Sequence, residues 1–220
     1  MKAGTIGSNK KLEIPKLLQP VAHSYDWSIK KHGPIHRAAA WKNAELQFRR
    51  FQIFLGLIAF DTERNNLTIN DFGCGYGAMF DVIENLPQFV SGKYFGYDIS
   101  KEMLQAAENR INDQRASFIL NHKASRIADY SFVSGTYNMK MAVNDVEWQN
   151  YIEESIIHLW SKTNIGMGFN MLNAASPQRE KTLYYADPNY YLEFCKQNLT
   201  CKVHMVDLLH PYEFVIFLRR

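Results

Sequence analysis

The chain has 220 residues, 46% of them hydrophobic and 14% aromatic, which supports a folded core of about one domain and excludes a disordered chain. Its formal charge of +3 permits an acidic substrate, but Lys and Arg cluster only as the doublets Lys10-Lys11, Lys30-Lys31, Arg49-Arg50 and Arg219-Arg220, unlike a nucleic-acid cleft. Three cysteines (Cys74, Cys195, Cys201) without CxxC or zinc spacing read as free thiols in a reducing compartment. The start, MKAGTIGSNKKLEIPKLL, holds no apolar signal-peptide stretch, and the longest apolar run, 51–60, is too short to span a bilayer. A cytoplasmic location without a membrane span is expected.

Residues 1–20 mix Lys, Gly, Ser and two prolines and read as a tail whose start is mobile. From 25 to about 60 the pattern is helical, in two pieces broken at "HGPIH", 32–36. The second piece, 38–59, puts Trp41, Leu46, Phe51, Phe54 and Leu57 on one face. Strands and helices then alternate: strand 67–72, helix 79–85, strand 93–97 ending at Asp98, helix 101–111, strands 117–120 and 130–134, helix 150–160, strand 165–172 and helix 189–198. Two last strands, 202–209 and 214–219, are joined by His210-Pro211-Tyr212-Glu213, too short a link for anything but antiparallel pairing. The expected fold is α/β, a Rossmann-like doubly wound, mostly parallel sheet with an antiparallel C-terminal hairpin. An N-terminal helical cap precedes it. The division predicted is 1–60 for tail and cap and 61–220 for the α/β domain.

In such a sheet ligands bind at the carboxyl ends of the strands, where strand order reverses. "DFGCGYGA", 71–78, follows the first strand there, and its glycines let a ligand lie against bare backbone. Asp98, closing the second strand about 25 residues on, is placed to accept both ribose hydroxyls. This strand, glycine loop, helix, strand and Asp read as an adenosine site. Two cofactors fit. Gly73-x-Gly75-x-x-Ala78 matches a dinucleotide fingerprint, with pyrophosphate at a helix N-terminus. Asp71 at the mouth of the loop would repel phosphate and favours an ammonium, which S-adenosylmethionine has.

"INDFGCGYG", "YFGYDISKEMLQAA" and "ADYSFVSGTYN" resemble the first, second and fourth motifs of class I S-adenosylmethionine-dependent methyltransferases. The closing "VDLLHPYEFVIFLRR" is similar to the antiparallel end of their sheet, so the resemblance runs from about 67 to 220 and makes 61–220 the methyltransferase domain. "KHGPIHRAAAW…QFRRF" resembles the N-terminal cap of small bacterial methyltransferases of secondary metabolism or surface-glycan assembly. The resemblance implies S-adenosylmethionine as cofactor and S-adenosylhomocysteine as product. It puts Asp71 and the backbone at Gly73, Gly75 and Gly77 at the methionine part, Asp98 at the ribose, Ile99 and Met103 at the adenine, and Ser134 and Gly135 beneath the sulfonium. One departure stands out: the acidic residue often found after the third strand, which binds the adenine amino group, is replaced by Asn121, His122 and Lys123.

Methyl transfer is in-line displacement at an activated carbon, so holding the reactants in contact away from water supplies most of the catalysis. A base is needed only if the acceptor must lose a proton during attack. No catalytic dyad is legible, and no metal site is expected. His32 in the cap and Tyr137 after the fourth strand are the catalytic candidates. His36, Asn138, Asn170 at the end of the fifth strand, and His210 and Tyr212 in the hairpin turn are candidate acceptor contacts. Trp41 can close over the cofactor or pack in the core; Arg50 can meet the cofactor carboxylate or form a surface ion pair. The chain lacks the Asn/Asp-Pro-Pro-aromatic signature of base-amine methylation, a Pro-Cys dipeptide and room for a macromolecule-recognition domain. Methyl transfer to O or N of a small polar metabolite is therefore expected, such as a sugar, an amino acid or a phosphorylated building block, with no nucleic-acid partner. Alternatives are a protein or RNA methyltransferase, a nicotinamide oxidoreductase and a non-catalytic binder. Oligomeric state is open.

Overall fold

A computed structural model describes residues 13–59, 61–209 and 211–220. The mobile start expected of the tail, as far as residue 12, and the acceptor contact expected at His210 lie outside the described residues.

Two helices precede the sheet. α1 (Gln19–His32) carries Pro20 in its first turn, where a missing N–H leaves no bond unmade, and stops at Gly33. α2 (Ala44–Ile58) is capped by Asn43, whose Oδ1 accepts the Leu46 N–H at 2.7 Å. The apolar period predicts a start at 38; the Asn43 cap moves it, and 33–43 becomes a run of turns that carries Trp41 off the helix.

The strands are β1 (Thr68–Phe72), β2 (Lys93–Asp98), β3 (Ala116–Leu120), β4 (Ala128–Ser134), β5 (Thr163–Leu172), β6 (Val203–Val206) and β7 (Glu213–Arg219). They form one sheet in the order β3-β2-β1-β4-β5-β7-β6. The first five pair in parallel, and β7 runs antiparallel to both β5 and β6. Strand order reverses at β1, which has β2 on one side and β4 on the other. Since β7 runs backwards, its first residue, Glu213, lies at the same edge as the last residues of β4 and β5.

The remaining helices are α3 (Phe80–Ile83), α4 (Lys101–Arg110), α5 (Asp145–Ser161) and α6 (Pro188–Asn198). α5 starts earlier than the expected 150. Asn144 accepts the Glu147 N–H at 2.9 Å and donates to the Glu147 carboxylate at 3.2 Å, a reciprocal cap.

Side chains alternate between two cores. Tyr130 and Phe132 of β4 join Phe51, Phe54, Leu57 and Ile58 of α2 on one face. Val133 joins Trp148, Ile152, Ile156 and Leu159 of α5 on the other. Phe54 stacks on Phe132 with ring centroids 5.3 Å apart. The second half of α2 is thus a layer of the fold, although the cap was expected to run to 60. α1 docks on α4: Ser100 Oγ donates to Asp26 at 2.6 Å, and Lys30 pairs with Glu102 at 3.0 Å. Among the described residues no helix is long and apolar enough to cross a membrane.

Candidate active site

A cavity of about 860 Å³ opens at the carboxyl ends of the parallel strands. Its first wall is the loop after β1. The N–H groups of Gly73 and Cys74 donate to the Tyr97 carbonyl at 2.7 and 2.9 Å, which ties the loop to β2. The three loop glycines differ in what they face. Gly75, with φ of 55°, turns its bare side to open space, and a β-carbon there would meet only Met103 Sδ, at 3.9 Å. Thr136 crowds Gly73, while Gly77 turns to Ile111 and Phe118 and does not line the cavity.

Two carboxylates stand beside the loop. Asp98 Oδ2 accepts the Gly75 N–H and Oδ1 the Ser100 N–H, both at 2.8 Å. Asp71 accepts the Tyr94 hydroxyl. Among the described residues neither pairs with a cationic side chain. Burial pushes Asp71 up to about 7, against the Tyr94 hydrogen bond and with help from the Asp98 charge. Burial likewise pushes Asp98 up to about 6, against its backbone N–H donors. Two buried carboxylates without a counter-ion suit a ligand that brings positive charge and hydroxyls. Cys74 is a filler: burial first, then the Asp98 and Asp71 charges, hold its thiol far above the ordinary value.

The second wall is the end of β4. Ser134 Oγ is buried with no hydrogen-bond partner among the described residues. The Gly135 N–H donates to Asn170 Oδ1 at 2.8 Å. Trp41 fills the space a side chain at Gly135 would need, since an added β-carbon would stand 2.6 Å from the indole. The Arg50 guanidinium lies 4.2 Å from the Trp41 ring centroid. Arg50 donates through Nε (2.6 Å) and Nη2 to Glu213, and Asn170 Nδ2 donates to the same carboxylate at 2.8 Å. Trp41, Arg50, Glu213, Asn170 and Gly135 therefore form a closed ring joining the turns before α2, α2 itself and the ends of β4, β5 and β7.

That ring corrects two expectations. Arg50 is not a surface pair: its guanidinium is held by buried Glu213, and the residue still lines the cavity. Asn170 is fully buried in the ring and does not line the cavity. Tyr137 is also a core residue: its hydroxyl meets Ser155 at 3.0 Å, its carbonyl accepts the Trp148 indole N–H, and burial raises its phenol well above the ordinary value. His32 lies edge-on to Trp27, and His36 sits in the turns of 33–43; neither lines the cavity. Trp41, Ile99, Met103, Asn138 and Tyr212 do line it. Of the trio after β3, Asn121 lines it, whereas His122 and Lys123 do not. Asn138 Oδ1 accepts the Leu172 N–H at 3.1 Å, and its Nδ2 has no acceptor among the described residues.

The third wall, 173–187 between β5 and α6, was not foreseen. It contributes Ser176, Gln178, Arg179, Glu180, Thr182, Leu183 and Tyr185, and bridges Met139–Leu183 and Asn173–Ala186 pin it. Its signal was length: a long connection at the carboxyl end of a parallel strand is usually functional.

A glycine loop and a buried ribose-type carboxylate at the switch point of a parallel sheet define a nucleoside-cofactor protein. The methyltransferase-domain family matches residues 69–160. Over 157 residues, 70% of this chain and 93% of the relative, the chain is 36% identical to Rv1506c of Mycobacterium tuberculosis, described as a methyltransferase. It resembles a solved S-adenosylmethionine-dependent methyltransferase of Leishmania major with a TM-score of 0.67 at 11% identity, over 94% of this chain and 87% of that one. The complex of DhpI with S-adenosylmethionine and HEP gives 0.63 at 12% identity, over 94% and 99%. The chain belongs to the class I S-adenosylmethionine-dependent methyltransferases. Its cofactor is S-adenosylmethionine.

Proposed function

We propose that the protein methylates an oxygen or nitrogen of a small polar metabolite enclosed between the N-terminal segment and the sheet edge. The enclosure carries this reading. α1, the 33–43 turns and the start of α2 face the glycine loop and the 173–187 wall across one cavity. Its volume of about 860 Å³ falls in the ~300–1,000 Å³ range of small-molecule sites.

The donor set fits the cofactor. Asp71 would receive the ammonium, Asp98 would accept from the ribose hydroxyls, and the bare side of Gly75 would support the methionyl chain. Ile99, Met103 and Asn121 would hold the adenine, and Ser134 and Gly135 the sulfonium end; all five line the cavity. The cofactor supplies a methyl group already activated for displacement. The chain's residues hold the reactants and keep water out: Trp41 covers Gly135, and Asn138 Nδ2 offers a hydrogen bond to the acceptor. Within the expected cap of 1–60, the part able to act as a lid is the 33–43 turns, because α2 packs on the sheet and α1 joins the core through Val21 and docks on α4.

Incubation with methyl-labelled S-adenosylmethionine and fractionated cell extract tests this function. Label should enter the small-molecule fraction. Label confined to protein or RNA would favour a macromolecular acceptor and an open groove. Once the acceptor is identified, Asn138→Ala should raise its KM about fivefold, the scale of one neutral hydrogen bond, and leave cofactor affinity unchanged.

Cofactor binding should depend on pH. The raised values of Asp71 and Asp98 mean that the ligand-free folded protein keeps protons the unfolded chain has lost. Their contribution to stability is full below about pH 4 and is lost as pH rises through about 6 and about 7. A cationic ligand needs both ionised, so its affinity and the melting-point rise it causes should grow from about pH 5 to about pH 8. Calorimetry and thermal shift across that window check it; a flat profile would place the ligand away from both carboxylates.

A further inference from the structure

We propose that the acceptor is an organic acid with an apolar body, its carboxylate or phosphate group held at the cavity mouth by Lys42, Arg49 and Arg179. This deepens the function proposed above and rests on it. Basic and acidic side chains lining the cavity are equal in number but segregated. Asp71 and Asp98 lie buried on the cofactor side, and Arg50 and Glu213 neutralise each other within the buried ring. Among the described residues, the exposed charges that line the cavity are then three cations, Lys42, Arg49 and Arg179, and one carboxylate, Glu180.

The three cations come from separate segments: the turns before α2, α2 itself, and the 173–187 wall. Among the described residues none pairs with a carboxylate. Neutral partners hold the two arginines instead. Arg49 Nη2 donates to the Leu208 carbonyl at 3.2 Å. The Arg179 guanidinium lies 5.4 Å from the centroid of Tyr185, whose hydroxyl accepts the Glu180 N–H at 2.9 Å. Guanidinium groups fixed without a counter-ion around one opening attract and orient an anion. The cofactor brings a single carboxylate of its own, enough to neutralise one of the three.

The same mouth leaves apolar surface uncovered. Leu208 and Tyr212 line the cavity yet are 61% and 53% exposed. A carbon skeleton lying on these two side chains, with its charged end at the arginines, satisfies both features at once.

Calorimetry on the protein saturated with S-adenosylhomocysteine tests this with phenyl phosphate, benzoate, phenol and inorganic phosphate. Phenyl phosphate or benzoate should bind at least about tenfold more tightly than phenol, with affinity falling as salt is added. Inorganic phosphate, lacking the apolar body, should bind more weakly than phenyl phosphate. Arg49→Gln and Arg179→Gln should each weaken the aromatic anion about fivefold or more and leave S-adenosylhomocysteine affinity unchanged. Equal binding of the acids and phenol, or variants that keep full anion affinity, overturns the anion site. Inorganic phosphate as tight as phenyl phosphate overturns the apolar body. Variants that lose S-adenosylhomocysteine affinity assign the cations to the cofactor and overturn the proposal as well. Wild-type protein that fails to bind S-adenosylhomocysteine at all sinks the methyltransferase reading itself, a separate result.

Discussion

Glu213→Ala is expected to lower the unfolding free energy by about 3–5 kcal/mol, the largest effect of any single substitution at the site. The Arg50 and Glu213 side chains are only 7% and 5% exposed, so the variant leaves a guanidinium buried without its counter-charge. Asn170 loses the acceptor of its amide as well, and with it the anchor that fixes Oδ1 on the Gly135 N–H. Replacing both members of the pair together, as Arg50→Met with Glu213→Leu, should cost much less than Glu213→Ala alone, because no buried charge is stranded. Urea unfolding of the three proteins decides the matter. A Glu213→Ala loss below about 1 kcal/mol, the scale of an exposed pair, would show that water reaches the ring.

Asp98→Ala should weaken S-adenosylmethionine by about 1.5–3 kcal/mol, the scale of hydrogen bonds to a charged group. Calorimetry reads this directly, and unchanged affinity would remove Asp98 from the ribose. The variant also frees the Gly75 and Ser100 N–H groups, so part of the loss reflects a looser loop. Asp98→Asn keeps the shape and one acceptor, but its amide nitrogen then faces the Gly75 or the Ser100 N–H, so the variant removes the charge and one loop hydrogen bond together. Burial raises the Asp98 value, so its ionised form destabilises the empty protein. At pH 8 the relief of that buried charge should offset part of the lost loop hydrogen bond, so ligand-free Asp98→Asn should melt above Asp98→Ala, while its cofactor affinity falls below that of wild type.

The strands of the sheet were readable in the sequence because each is a short apolar run bounded by turn residues or a charge. β1 and β2 lie within one residue of expectation, and with them the glycine loop and Asp98. Helix starts were harder wherever a polar cap sits outside the apolar period, as at Asn43 and Asn144. Asn170 lies inside a strand whose end at 172 was expected, and a residue inside a strand covered on both faces is buried whatever its polarity. Tyr137 follows the end of β4, but its ring turns into the core beneath α5. The 173–187 wall has no period to read, and Glu213 looked like an ordinary turn residue. Its role depends on a partner that local patterning does not connect to it.

That partner is 163 residues away, and the distance has a consequence for biosynthesis. α2 leaves the ribosome long before β7, so a nascent chain must carry Arg50 for most of its elongation without the carboxylate it ends up against. From their own synthesis until β7 arrives, β5 and β6 present unpaired edges, since β7 inserts between them. The glycine loop can close early on β2, whereas the ring of Trp41, Arg50, Glu213, Asn170 and Gly135 is completed only when the last strand arrives. A product released before β7 would lack this ring and also expose an adhesive strand edge, so one late event completes the cavity wall and removes the aggregation hazard.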